Sequence, residues 1–300
     1  MRRVEIFCPS HITGLFTVDG SRNPLRRGSR GVGVTLGRGV RTWVEAEPSA
    51  GWKVEVRGIG AQIRGEVSKR VVELLKPKIL QPHHVHITHR FEVPVGAGYG
   101  ASGAGALGVA LGLNEALNLG LTPLEAANLA HLAEIECKTG LGSVLAETFG
   151  GFSLRVRARA PSFGLVKKFQ AEGWLVASLC WGSLPTRGVL SNQRFRRLIR
   201  RVGEAFLEKF EGNPTVEGFL EASRGFSEAL GLESFRVKQA LRLLNSEGFQ
   251  ASMNMLGEAV FTLIRVEELP RFQAVLSHPI FRGSRLTLSE VSEEGVRVEG

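Results

Sequence analysis

The chain has 300 residues, of which 43% are apolar and 22% charged, and a formal net charge of +9. This balance excludes a disordered chain, and no apolar run reaches the roughly 18 residues that a bilayer span needs, so a folded, soluble, cytoplasmic protein is expected. The start, "MRRVEIFCPSHITG", carries basic residues without the apolar stretch of a secretory signal, and the scattered Cys8, Cys137 and Cys180 suit neither a disulfide framework nor a zinc knuckle.

In chain order, "RVEIFCP", "GVGVTLG", "RTWVEAE" and "KVEVRGIG" alternate and are rich in β-branched residues, which predicts four short strands broken by Gly and Pro. "EVSKRVVELLK" has helical spacing and is closed by Pro77. "HVHITHRFEV" then alternates as a strand and runs into Pro94. Its His84 and His86 share a strand face, but no carboxylate partner is apparent, so with His83 and His89 they read as a solvated sheet face and not a metal site.

The small residues from Ser102 to Leu119 suit a buried helix. Thr122, Pro123 and Glu125 supply an N-cap, a first-turn proline and a capping box for a second helix, expected to run to about Lys138 with Gly140 as its stop. "GGFSLRVRA" reads as a strand. Composition shifts near "RAPSFGLVKKFQAEG", which divides the chain into 1–165 and 166–300. Beyond it come a strand at "WLVASLCW", helices between Ser191 and Asn245, and strands at "AVFTLIRV" and "GSRLTLSEV" flanking a short helix. The pattern is α+β with two subdomains. Arg187, Arg194, Arg196, Arg197, Arg200 and Arg201 read as a solvated helix face; only Phe195 interleaves them, which leaves RNA binding a minor alternative.

The chemistry is concentrated in "EVPVGAGYGASGAGALGVALG", Glu92 to Gly112. Gly98 to Gly103 is a literal G-x-G-x-x-G, yet it follows some 90 residues of β-rich chain, and no strand ending in an acidic residue comes after it, so a dinucleotide-binding unit is excluded. No G-K-[ST] occurs, which excludes a Walker A loop. What remains is an anion site: glycines whose N–H groups can approach a ligand, at the start of a helix whose dipole favours negative charge.

The segment Pro94-x-Gly96-Ala97-Gly98-Tyr99-Gly100-Ala101-Ser102-Gly103-Ala104 resembles the phosphate loop of the GHMP kinases. "FCPSHITGLF" is similar to their first motif, and "ASMNMLGEAVFTL" falls where their third belongs. "PSHITGLF", "GSRGVGVTL" and "KTGLGSVLAETFGG" together are most similar to the pantoate kinases of archaea within that superfamily. The resemblance implies a two-subdomain fold: a β-rich N-terminal domain with a left-handed βαβ unit, and a ferredoxin-like C-terminal α/β-sandwich domain.

It further implies ATP-dependent phosphorylation of the 4-hydroxyl of pantoate, a step toward coenzyme A, with another acceptor such as homoserine or shikimate as the runner-up. Pro94 and Gly96 to Ala104 would bind ATP, and Ser102 and Glu134 would hold Mg²⁺. His11, Thr13, Ser29, Arg30, His131 and Arg155 would bind the acceptor, with an arginine taking its carboxylate. No membrane partner is implied, nucleic acid is not favoured, and a homodimer is left open.

The family leads one to expect Gly-Leu-Gly-Asp where this chain has Gly140-Leu141-Gly142-Ser143, and Asp19 is its only aspartate. Glu136 and Glu147 are the nearby carboxylates. Ser143 therefore marks either an enzyme that needs no base or one whose turnover is impaired.

Overall fold

The computed structural model describes residues 3–184 and 193–299. Arg187 and Ser191, at the start of the expected arginine run and helix, lie outside the described residues.

Two long strands dominate. β1 (Arg3–Asp19) and β2 (Gly28–Pro48) pair antiparallel, with register shifts between Pro9 and His11 and between Thr13 and Leu15. The sequence suggested three short strands over this length. The structure differs because β1 and β2 support one another across the glycines and Pro9, and the bulges absorb what a proline and unmatched residues would disrupt. β2 then serves two partners: its first half pairs with β5 (Phe152–Arg157) and its second half with β4 (His83–Phe91).

β3 (Lys53–Ile59) runs parallel to β4 through a crossover containing α1 (Glu66–Leu75), and β6 (Leu165–Phe169) extends the sheet from β5. A second, four-stranded sheet has the order β10-β7-β9-β8, with β7 spanning Trp174–Ser183, β8 Ala251–Met253, β9 Gly257–Arg265 and β10 Arg285–Glu290. The strand β11 (Arg297–Glu299) returns to pair with β1. Residue 165 opens β6, which stays in the first sheet, so the second sheet begins with β7.

α2 (Ala101–Leu117) lies against the first sheet. Its small residues permit the approach: a Cβ on Gly108 would collide with the side chain of Thr42 on β2. α3 (Pro123–Cys137) starts with the expected capping box, in which Thr122 and Glu125 satisfy one another's backbone N–H groups. It ends at Lys138, whose φ of 58° makes it the left-handed cap two residues before the glycine expected to stop it.

α5 (Gln193–Gly212), α6 (Val216–Leu230) and α7 (Phe235–Ser246) follow the second sheet's first strand, and α8 (Leu269–Val275) lies between β9 and β10. The two halves share a phenylalanine layer. Phe152 of β5 lies 5.2 Å from Phe219 of α6, and Phe169 of β6 meets Phe210 of α5 edge-on at 5.3 Å between ring centroids. This layer sets the second half against β5, whose Arg155 faces the site described below. Among the described residues no helix is long and apolar enough to cross a membrane, and all three cysteines are free thiols.

His89 is buried where β4 meets α1, its ring nitrogens 2.9 Å from Thr42 Oγ1 and 2.9 Å from Ser68 Oγ. Burial holds its pKa down to about 4 from an ordinary 6.5. Unfolding lets it take up a proton, so its stabilising contribution is full above about pH 6.5 and is lost as pH falls toward 4, by about 3 kcal/mol. Urea unfolding from about pH 7 to pH 4 should therefore show His89→Gln losing less stability over that window than the parent chain. Parallel losses in both would contradict the assignment.

Candidate active site

The chain from Pro94 to Gly100 leaves β4 and forms the loop before α2. Gly96, Gly98 and Gly100 have φ of 76°, 84° and 69°, values that favour glycine. Gly100 caps α2 without a side-chain partner for the helix, which leaves the first-turn N–H groups for a ligand. The loop is fastened from both sides. Asn254 Nδ2 donates to Ala97 O at 3.0 Å, and His11 N donates to Tyr99 O at 3.0 Å. The Tyr99 ring is buried, and its hydroxyl donates at 2.8 Å to Ser178, whose own proton goes to Val260 O.

Asn254 comes from "ASMNMLGEA" and His11 from "PSHITG", so the two segments that resemble the outer motifs meet the central one here. Leu256, on the turn after Asn254, has φ of 70° and lines the cavity. A bulky residue in the left-handed region is strained backbone, and it lies two residues from the Asn254 that fastens the loop.

Ser102, in the first turn of α2, donates to Glu134 Oε1 at 2.6 Å, and Thr139 donates to the same oxygen at 2.6 Å. Glu134 is 2% exposed, and burial raises its pKa while the two hydroxyls lower it. Its second oxygen points toward Gly140. Hydroxyl and carboxylate oxygens held together at the start of α2 suit a hard cation such as Mg²⁺, which needs only one or two protein ligands. Thr139 escaped the sequence reading; a hydroxyl just beyond the cap of the helix carrying Glu134 was the available signal.

A cavity of about 180 Å³ opens from this point. Two hydrogen-bonded groups line it, Ser102 with Glu134 and Thr139, and Arg155 with His11, Thr13 and Ser29, and Gly142 and Ser143 are also on its wall. Arg155 is 1% exposed. Its Nε donates to Ser29 O at 3.1 Å and its Nη1 to His11 Nε2 at 3.3 Å. His11 Nε2 is thus an acceptor, which puts the ring proton on Nδ1, 3.2 Å from Thr13 Oγ1, and leaves the Thr13 hydroxyl free to donate into the cavity. Burial and the neighbouring arginine hold His11 well below its ordinary pKa, so it is neutral. Burial lowers Arg155 to about 10, against the opposing influence of Glu147, which still leaves it charged at neutral pH. Among the described residues lining the cavity, Arg155 is the cation and Glu134 the anion.

Ser143 opens α4 (Ser143–Phe149), and its hydroxyl has no protein hydrogen-bond partner among the described residues. One turn further on, Glu147 is fully buried beneath Gly100 and Gly103 with neither carboxylate oxygen hydrogen-bonded. Burial, then Glu134, push its pKa well above the ordinary value, and Arg155 opposes them.

Pro94, Ala97, Gly103 and Ala104 of the loop stand behind the cavity wall, and two of the residues selected for the acceptor are not brought to the cavity. Arg30 points to α5, where it pairs with Glu204 at 2.8 Å and Glu211 at 3.6 Å. His131 is buried against the 24–26 turn, with Nε2 3.2 Å from Pro24 O. Both are engaged by carboxylates or carbonyls that sequence spacing does not reveal. Glu136 pairs with Arg70 on the surface.

A second cavity, of about 330 Å³, lies on the α1 side of the loop. Ile63, Arg64, Phe91 and Val95 line it, and it shares Ala101, Ser102 and Thr139 with the first. The two cavities therefore meet at the start of α2.

A family model described as the GHMP kinases N terminal domain matches residues 66–151. The pantoate kinase of Thermococcus kodakarensis is 34% identical over 283 residues, covering 91% of this chain and 92% of its own length. That of Methanocaldococcus jannaschii is 32% identical, covering 92% and 98%. A solved structure described as a phosphotransferase related to the CoA biosynthesis pathway superposes with a TM-score of 0.89 at 30% identity, over 99% of both chains. A homoserine kinase from Cytophaga hutchinsonii, at 15% identity and a TM-score of 0.74, shares the fold. The chain belongs to the GHMP kinase superfamily and, within it, to the pantoate kinase family.

Proposed function

We propose that this chain transfers the γ-phosphoryl group of ATP to the 4-hydroxyl of pantoate, giving 4-phosphopantoate for coenzyme A biosynthesis in the cytoplasm. The observation that carries this reading is the polarity of the first cavity. Its wall carries both the glycine loop with Ser102 and Glu134 and a separate group around a buried, charged Arg155. A small hydroxy acid fits that pattern, with its hydroxyl toward the loop and its carboxylate on the guanidinium.

The second cavity, part apolar with Arg64 at its wall, suits the nucleoside, so that the phosphates cross the start of α2 between the two. The first-turn N–H groups and the loop hold the phosphate oxygens. A Mg²⁺ ion held by Ser102 and Glu134 would neutralise charge on the transferring group. Thr139 and Ser102 keep the Glu134 carboxylate in place, and His11 orients Thr13.

In the transfer the acceptor oxygen forms a bond to the γ-phosphorus as the bond to the β,γ-bridging oxygen breaks, and ADP departs. With no lining carboxylate besides Glu134, the hydroxyl proton passes to an oxygen of the transferred phosphoryl group, and Ser143 hydrogen-bonds the hydroxyl. A dedicated base is worth about 10²- to 10⁴-fold, so a reaction of this kind proceeds without one. Ser143→Asp should then change kcat by less than about tenfold; a rise of about 10²-fold or more would mean that the serine impairs turnover. The reading itself is tested with labelled ATP and a panel of pantoate, homoserine and shikimate. Pantoate-dependent transfer is expected, and transfer to either other acceptor in preference would overturn it.

A further inference from the structure

The histidines of β4 lacked a carboxylate partner in the sequence reading, and the fold supplies two. β4 lies between β2 and β3, with Glu47 of β2 opposite His84 and Glu55 of β3 opposite His86. Alternation along β4 turns His83, Val85 and Ile87 into the protein and leaves His84 and His86 together on the outer face. Their rings lie 3.9 Å apart, centroid to centroid.

Each ring presents one nitrogen to each glutamate. Toward Glu47 Oε1, His84 Nδ1 is at 3.6 Å and His86 Nε2 at 3.9 Å. Toward Glu55, His84 Nε2 lies 3.3 Å from Oε1 and His86 Nδ1 3.6 Å from Oε2. One ligand atom from each of Glu47, His84 and His86 lies within 4.8 Å of the other two. Ligands on a tetrahedral Zn²⁺ with bonds of about 2.0–2.1 Å are about 3.4 Å apart, so modest side-chain rotation closes the set.

We infer that Glu47, His84 and His86 form a site for a Zn²⁺-class transition metal ion on the outer face of the first sheet, with Glu55 as the shared acceptor behind both imidazoles. His84 Nδ1, His86 Nε2 and a Glu47 oxygen are the protein ligands, and water completes the coordination. Glu55 accepts the N–H of His84 Nε2 at 3.3 Å and faces His86 Nδ1 at 3.6 Å, which favours the tautomers that leave His84 Nδ1 and His86 Nε2 for the ion. Lys53 at 2.7 Å and Arg57 at 3.5 Å hold Glu55 in that role and leave Glu47 to the ion. Two imidazoles with a carboxylate select zinc, cobalt or nickel over magnesium or calcium. The side chains of His84 and His86 are 18% and 36% exposed, so an ion can enter from solvent.

The site is at the end of β4 remote from the phosphate loop, which separates it from the proposed Mg²⁺ ligands. Full-length protein is titrated with Zn²⁺ against a chromogenic chelator, and with Co²⁺ to read the bands of a low-coordinate ion. One ion per chain is expected, with affinity at least about tenfold weaker in His84→Gln, His86→Gln and Glu47→Gln, and weakened by about 10- to 100-fold in Glu55→Gln. Phosphorylation measured with Mg²⁺ should be unchanged in all four. No Zn²⁺ uptake by the parent chain, or uptake that the histidine variants leave intact, would overturn the inference.

Discussion

Glu134→Gln is expected to lower kcat by about 10²- to 10³-fold, the usual loss when a group that stabilises transition-state charge is removed. The amide oxygen can still accept from Ser102 and Thr139, so the change removes charge and spares the local hydrogen bonds. A buried carboxylate whose pKa burial raises costs stability, and a neutral amide in its place relieves that cost. The variant should therefore melt no lower than the parent while its Mg²⁺ requirement rises. Steady-state kinetics over a Mg²⁺ series and a thermal melt separate the outcomes. A variant that unfolds early, or that keeps full kcat, would remove Glu134 from the metal-binding role.

Arg155→Met should raise the KM for pantoate by about 10²-fold, as expected when a charge-assisted contact worth about 2–3 kcal/mol is lost. The KM for ATP should move less, because the guanidinium's hydrogen bonds go to Ser29 and His11 and not to the loop. Arg155 also donates to Ser29 O and His11 Nε2, so its removal leaves two buried acceptors unsatisfied and costs stability. Arg155→Lys keeps the charge without the planar fork and is expected to give a smaller KM increase, about tenfold, in a better-folded protein. If both variants change the KM for ATP and leave that for pantoate, the acceptor carboxylate binds elsewhere.

The parts of the site legible in sequence are those fixed by local chemistry. Pro94, the positive-φ glycines and Ser102 form one uninterrupted segment, and the Thr122–Glu125 capping box sets the start of the helix that carries Glu134. Arg155 could be picked only as a cation on a plausible strand; its burial and its hold on Ser29 and His11 come from strand pairing between β2 and β5. The same spacing logic made Arg30 and His131 equally attractive. Their removal from the cavity depends on Glu204 and Glu211, more than 170 residues away in the chain, and on the Pro24 carbonyl.

Long-range pairing also explains the strands. β1 and β2 continue through glycines and Pro9 because each supplies the other's ladder, which alternation within a short window cannot anticipate. The carboxylates beside His84 and His86 were hidden for the same reason: Glu47 and Glu55 reach them only across neighbouring strands.

The most direct measurement is ³¹P NMR of the product formed by the purified chain from MgATP and pantoate. The proposed placement, carboxylate on Arg155 and far hydroxyl at the loop before α2, predicts ADP and a phosphate monoester coupled to the C4 methylene protons. A phosphate on the C2 hydroxyl, or ATP consumed without pantoate being phosphorylated, would contradict that arrangement.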